Sequence, residues 1–152
     1  MRFLILFLIT FAMPAMADDL TPRGGWEIHT SDKAYQQLIN DTKAAVKANK
    51  MGVVTEAGPT GAAKNRGVTI PGNRVIGVFN NVFAVKILGL STAAMIEAPV
   101  RMYVTENKDG TATLSYKTPS FVFAPYDGGD ELTALASEMD GIFATIAAAA
   151  VK

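Results

Sequence analysis

The sequence predicts an α+β fold in which an antiparallel sheet of about five strands is packed against two or more long helices on one face. Three observations lead to this prediction. Two segments carry apolar residues at helical spacing, several short segments alternate apolar and polar residues, and two of these are joined by an Asp-Gly turn. A hairpin beside long amphipathic helices is typical of an α+β sandwich.

The first half of the chain alternates predicted strands and helices. Trp26 to Thr30 alternates as a strand, and Ser31 and Asp32 are placed to cap the helix that follows as far as Asn49. The remaining elements of this half are a strand at 51–56, a short helix at 59–65 and a strand at 74–79.

The middle of the chain contains a helical segment and the predicted hairpin. The stretch 81–97 is helical in tendency but is broken near Gly89. Strands are predicted at 100–106 and 111–118, and the four residues between them end in Asp109-Gly110, the chemistry that tight hairpin turns favour.

The last predicted element is a long helix. Two prolines bound Phe121 to Phe123, which we interpret as an edge strand or an apolar loop. Asp130 is expected to cap the helix. Its apolar stripe comprises Leu132, Leu135, Ala136, Met139, Ile142, Phe143 and Ile146.

The N-terminus has the pattern of a secretory signal peptide over residues 1–17. A cationic start is followed by the apolar run Phe3 to Ala12 and by the small-x-small site Ala15 to Ala17. An uncleaved anchor is disfavoured, because Pro14 and two aspartates limit an apolar run that is short of the roughly 20 residues a span needs. We expect a periplasmic or secreted protein without a stable membrane anchor, with a flexible lead-in at 18–25 and one domain at 26–152.

Composition restricts the classes of partner and cofactor. Loss of Arg2 with the signal peptide leaves thirteen basic against fourteen acidic residues, so no basic stripe is available for nucleic acid. The chain contains no cysteine and one histidine, His29. Thiolate and multi-histidine metal sites are thereby excluded, and we expect neither a metal nor another cofactor.

No recognisable catalytic signature is present, so no catalytic residue is assigned. The aromatic segment 121–126 between the sheet and the last helix can close a pocket, form a dimer contact or fill the end of the core, and Tyr126 is its polar aromatic member. Asn80 and Asn81 end a predicted inner strand, where their amides can bind a ligand or cap the next helix. These three residues are the candidate ligand-binding residues.

The same elements resemble a known family. Ala63, Gly67 and Ile70-Pro71, then Glu97 to Met102, the Asp109-Gly110 turn and Leu114 to Pro119 are similar to the bacterial domain-of-unknown-function family 302. The resemblance covers most of residues 28–145. It implies a compact α+β fold that is frequently dimeric and has no established reaction. Many relatives carry an Asp-His pair where alignment on Ala63 places Gly58-Pro59 here.

These observations favour an exported binding or interaction module for an unknown small molecule. We expect the module to form a homodimer. The alternative is a periplasmic enzyme of the hydrolase or isomerase type that uses a carboxylate, Glu97 or Glu106, or His29. Neither hypothesis includes a nucleic-acid partner.

We predict cleavage between Ala17 and Asp18, because the small side chains of Ala15 and Ala17 fit a signal peptidase. The exported protein should then begin Asp-Asp-Leu. Intact-mass measurement of material from the cell envelope or medium checks this, and a mass that includes residues 1–17 would contradict it.

Overall fold

The computed structural model describes residues 20–152, and the predicted signal peptide lies outside them. Within the described residues, five strands form one antiparallel sheet in the order β1-β5-β4-β3-β2. The strands are β1 (Trp26–Ala34), β2 (Gly52–Ala57), β3 (Asn73–Phe79), β4 (Val100–Glu106) and β5 (Thr111–Lys117).

Helices pack against this sheet, which confirms the predicted α+β fold. The two long helices, α1 and α5, contact each other and the sheet. The helices of the described part are α1 (Tyr35–Ala48), α2 (Thr60–Asn65), α3 (Asn81–Leu90), α4 (Pro119–Phe123) and α5 (Gly129–Val151), with a 3-10 helix at Ala93–Glu97.

Strand alternation gives the sheet two different faces. Val100, Met102 and Val104 of β4 are buried toward α1 and α5, on what we call the covered face. The intervening Arg101 and Tyr103 point to the opposite side, the open face. The core therefore lies entirely between the covered face and the helices.

The predicted hairpin is confirmed. β4 pairs with β5 in antiparallel register, with Thr105 opposite Thr113. Gly110 has a φ of 86°, a left-handed conformation that glycine adopts without steric cost. The Asp109 carboxylate accepts a hydrogen bond from the Thr111 amide at 3.0 Å and so fixes the turn.

The first strand is longer than predicted, so the prediction that Ser31 and Asp32 cap α1 is wrong. The pairing of β1 with β5 shifts register between Ser31 and Ala34, as at a β-bulge. The Ser31 hydroxyl accepts a hydrogen bond from the Lys33 amide at 3.2 Å and donates to the Val151 carbonyl at 3.4 Å. This hydroxyl therefore stabilises the bulge and does not cap a helix.

Lys33 extends the same contact between the two ends of the domain. Its ammonium donates to the carbonyl of Ala150 at 2.8 Å and pairs with the carboxylate of Asp41 at 2.6 Å. A cation at the C-terminus of α5 interacts favourably with the helix dipole. The β1 bulge is thus joined to the end of the last helix.

The interpretation of residues 121–123 as an edge strand or loop is also wrong, because they belong to α4. The Thr118 hydroxyl accepts a hydrogen bond from the Phe121 amide at 3.3 Å, and Pro119 occupies the first turn. A threonine cap followed by proline is a common helix start. Phe123 is buried in the core.

The last helix begins one residue before the predicted cap. Gly128 is its N-cap residue, so the prediction that Asp130 caps it is wrong. Asp130 and Glu131 lie instead in the first turn, where negative charge interacts favourably with the helix dipole. In the predicted apolar stripe, Phe143 is fully buried while Ile142 is half-buried at the edge.

Helix α5 is also long and apolar enough, by length and composition, to cross a membrane, with a mean hydropathy of 1.4 over its most apolar window. A helix that packs on a sheet through a wide apolar stripe meets the same criterion. Of that window, 39% is buried inside the domain.

We predict that Phe143→Ala lowers the free energy of unfolding by about 3–5 kcal/mol, because it leaves a cavity beside Tyr116. The two ring centroids are 5.6 Å apart. The control is Glu138→Ala at an exposed position of α5, expected to change stability by less than about 0.5 kcal/mol. Urea unfolding of both variants checks this, and equal effects would contradict the placement of α5.

Candidate functional site

A cavity of about 620 Å³ opens on the open face of the sheet. The register accounts for its position, because Val75, Tyr103 and Ser115 are neighbours across β3, β4 and β5. Residues two positions along these strands share the same face. The cavity therefore lies on the side of the sheet opposite α1 and α5.

Apolar residues dominate the cavity wall. Its volume lies in the range typical of small-molecule sites. Tyr103 and Val75 line it as cross-strand partners, and Trp26 lies on the edge strand β1. The apolar residues that line it are Trp26, Ala57, Pro59, Val75, Val100, Tyr103, Tyr116 and Val122.

Gly58 and Pro59, the positions at which the resemblance places an Asp-His pair in many relatives, line this cavity. A Cβ atom at Gly58 would lie 2.2 Å from the carbonyl oxygen of Asn73. No side chain fits there unless the backbone shifts. This part of the wall therefore consists of backbone and a proline ring and has no acid or base.

Glu97 forms the acidic part of the wall and is already paired. Its Oε1 accepts a hydrogen bond from the Tyr126 hydroxyl at 2.5 Å, and its Oε2 lies 3.6 Å from the Arg101 guanidinium. The hydrogen bond to Glu97 raises the pKa of Tyr126, because the carboxylate favours the protonated phenol. The candidate Tyr126 thus reaches the cavity through Glu97.

Two cations lie beside the indole of Trp26. The Arg23 guanidinium is 5.1 Å from the ring centroid, and the Lys117 ammonium is 5.9 Å from it. Trp26 and Lys117 are direct partners in the β1–β5 register. Cations at this distance are attracted by the ring quadrupole. This edge of the cavity is therefore aromatic and positively charged.

The candidates Asn80 and Asn81 lie away from the cavity. The Asn80 side chain accepts a hydrogen bond from the Val82 amide at 2.8 Å and donates to the Lys50 carbonyl at 2.9 Å, so it caps α3 and ties it to the end of α1. Asn81 is exposed at the first position of α3. Five residues of extended chain, about 16 Å, separate Asn80 from Val75.

The three residues of the enzyme alternative are also dispersed. Glu97 lines the cavity, whereas the Glu106 carboxylate accepts a hydrogen bond from the Gly72 amide at 2.7 Å. His29 lies on the covered face, where its ring stacks on Tyr116 at 5.9 Å. Within residues 20–152, no group of three or more His, Asp and Glu side chains is placed to hold a metal ion.

The sequence reasoning did not identify Trp26, Tyr103 or Lys117 as site residues. The sequence signal for these residues is the alternation along β4 and β5. Arg101, Tyr103 and Lys117 occupy positions that alternate with the buried apolar residues and therefore point to the opposite face. Large side chains on both faces of a strand indicate that each face has something to contact. The position of β1 beside β5 could not be deduced from alternation alone.

A family model described as "Domain of unknown function DUF302" matches residues 27–150. The chain belongs to the DUF302 family. The DUF302 chain is similar in structure to an uncharacterized conserved DUF302 protein from Bacillus stearothermophilus, with a TM-score of 0.75 and 14% sequence identity over 86% of this chain and 100% of that chain. At this identity the likeness shows the fold alone. A search of curated proteins finds no match.

We predict that this DUF302 protein loses stability as the pH rises from about 10 to about 12. Burial raises the pKa of Tyr116 to about 12, whereas an unfolded tyrosine titrates near pH 10. The folded state therefore keeps a proton that the unfolded state loses, and unfolding becomes easier across this interval.

Tyr116→Phe removes this titration and is the comparison that isolates it. The difference in unfolding free energy between wild type and variant should shift by on the order of 2–3 kcal/mol over this interval, with the wild type losing more. Urea unfolding at a series of pH values measures it. Parallel curves would contradict the assignment.

Proposed function

We propose that this protein is an exported binding module that holds a small molecule with an apolar body in the open-face cavity. The observation that carries the proposal is the cavity itself, about 620 Å³ in volume and lined mainly by aromatic and aliphatic residues. Sites for small molecules have this character, with a few polar groups that fix orientation. The signal-peptide pattern of residues 1–17 supports the export.

The chemistry of the wall supports binding over catalysis. Glu97 is engaged by Arg101 and Tyr126, and the wall at Gly58 and Pro59 offers no acid or base. General acid–base catalysis needs a titrating group within hydrogen-bond reach of the substrate. A wall of this composition binds and orients a molecule more readily than it transforms one.

A second candidate function is a hydrolase or isomerase that uses Glu97. The observation that favours it is the short hydrogen bond between Glu97 and Tyr126, since a carboxylate–phenol pair can relay a proton. His29 and Glu106 do not line the cavity. This candidate therefore depends on one carboxylate.

We also propose that the protein forms a homodimer. Several large apolar side chains are exposed near the Glu97–Tyr126 pair and along α3, including Ile96 at 79% and Val85 at 70%. Exposed apolar residues that recur in one region are typical of interaction surfaces. The resemblance to a frequently dimeric family supports the same proposal.

The binding proposal predicts that N-phenylnaphthylamine, a neutral probe that fluoresces in apolar sites, binds the protein at one site per chain. Tyr103→Ala should weaken this binding about tenfold, because it removes the aromatic floor of the cavity. Val82→Ala, an apolar truncation at an exposed site outside the cavity lining, should leave it unchanged. Equal affinity of both variants, with both folded by circular dichroism, would refute the proposed site.

The dimer proposal predicts that the wild type sediments as a dimer at about tens of micromolar, and that Tyr126→Ala shifts it toward monomer. Tyr126→Phe is the matched control, because it keeps the ring and removes only the hydrogen bond to Glu97. Analytical ultracentrifugation measures both. A monomeric wild type under these conditions would exclude the dimer.

A further inference from the structure

The charges around the open-face cavity are unbalanced. Lys117 and Arg23 lie within 6 Å of the same indole centroid, and neither forms a salt bridge with another residue of the 20–152 segment. Both residues are exposed. The edge at Trp26 therefore carries positive charge that the described part of the domain does not compensate.

The acidic group of the wall does not cancel this charge. Glu97 Oε2 lies 3.6 Å from Arg101, and Oε1 accepts a hydrogen bond from the Tyr126 hydroxyl. Both carboxylate oxygens of Glu97 therefore already have partners within the protein, Arg101 and Tyr126. A negatively charged ligand group beside Lys117 meets a cation that forms no salt bridge within residues 20–152, and the one carboxylate of the lining is already paired with Arg101.

An apolar strip leads away from the cationic edge. Trp26 is paired with Lys117 on β5; two residues before Lys117, Ser115 is paired with Tyr103 on β4, which in turn is paired with Val75 on β3. Three strand spacings, about 14 Å, separate β1 from β3. A molecule of this length that lies across the strands has one end beside the cations and the other over aliphatic and aromatic side chains.

We propose that the cavity binds a small organic monoanion, a carboxylate on an apolar body. The carboxylate lies beside Lys117, which lines the cavity, and the body lies over Tyr103 and Val75. This inference rests on the proposed binding function and adds the charge and orientation of the ligand. An ammonium compound is disfavoured by the two cations, and a wholly neutral ligand leaves them without a partner.

Trp26 makes the test direct, because it is the one tryptophan of the chain and lines the cavity. Phenylbutyrate and its neutral amide, phenylbutyramide, are titrated against the protein while tryptophan emission is followed. The acid should bind roughly five- to tenfold more tightly than the amide. This preference should shrink in about 0.5 M NaCl, because salt screens an exposed charge pair.

Lys117→Met tests the assigned cation, because it keeps the aliphatic stem and removes the charge. The preference for the acid should fall to roughly twofold or less, with amide binding unchanged. Lys108→Met is the matched control on the hairpin turn, outside the cavity lining, and should retain the full preference. Circular dichroism verifies that both variants are folded.

Equal affinity of acid and amide for the wild type would overturn the anion inference, and so would an unchanged preference in Lys117→Met. Tryptophan emission that changes with protein concentration alone would indicate that a second copy covers Trp26, and would overturn it as well. A failure of the proposed binding function would give a different result from a failure of the anion inference. In that case the neutral N-phenylnaphthylamine would also not bind at the cavity.

Discussion

The fold depends on the burial of one face of the sheet against α1 and α5. Alternate residues of the central strands, Ile76, Met102 and Leu114 among them, are inaccessible to solvent on that face. Each such side chain contributes about 1.5–3 kcal/mol when it leaves water. This burial fixes the register of every central strand, because a one-residue slip would expose the whole set. The residues in between are thereby fixed on the open face, where Val75 and Tyr103 form part of the cavity wall.

Local patterns predicted the elements that are amphipathic by themselves. The hairpin followed from the Asp-Gly turn between alternating segments, and α5 followed from its wide apolar stripe. The errors occurred where a polar residue has several possible partners. Ser31 has the chemistry of a helix cap but bonds to the Lys33 amide and to the end of α5, which is distant in sequence. Thr118 and Pro119 contained a helix-start signal that the aromatic residues after them obscured.

The candidate site was less accessible to sequence reasoning, because it is built from residues that meet only through strand order. Trp26 and Lys117 are paired although most of the domain separates them in the chain. The Asn80 amide was a candidate ligand-binding group, but it forms hydrogen bonds with the first turn of α3 and with the Lys50 carbonyl. Tyr126 was a candidate because of its aromatic ring, whereas the contact that the structure shows is the hydrogen bond from its hydroxyl to Glu97, a residue of the cavity wall. Partner choice across a sheet is a global property, and residue spacing alone does not encode it.

The contact between the β1 bulge and the end of α5 has a consequence for the order of folding. Lys33 and Ser31 donate hydrogen bonds to the carbonyls of Ala150 and Val151 at the end of α5, and the strand partner of β1 is β5. A chain that is still being synthesised cannot complete the sheet until β5 is available, because β1 ends at Ala34 and its partner strand begins only at Thr111. The sheet is therefore completed late in folding, when the segments that form β5 and the end of α5 have both come together with the first strand.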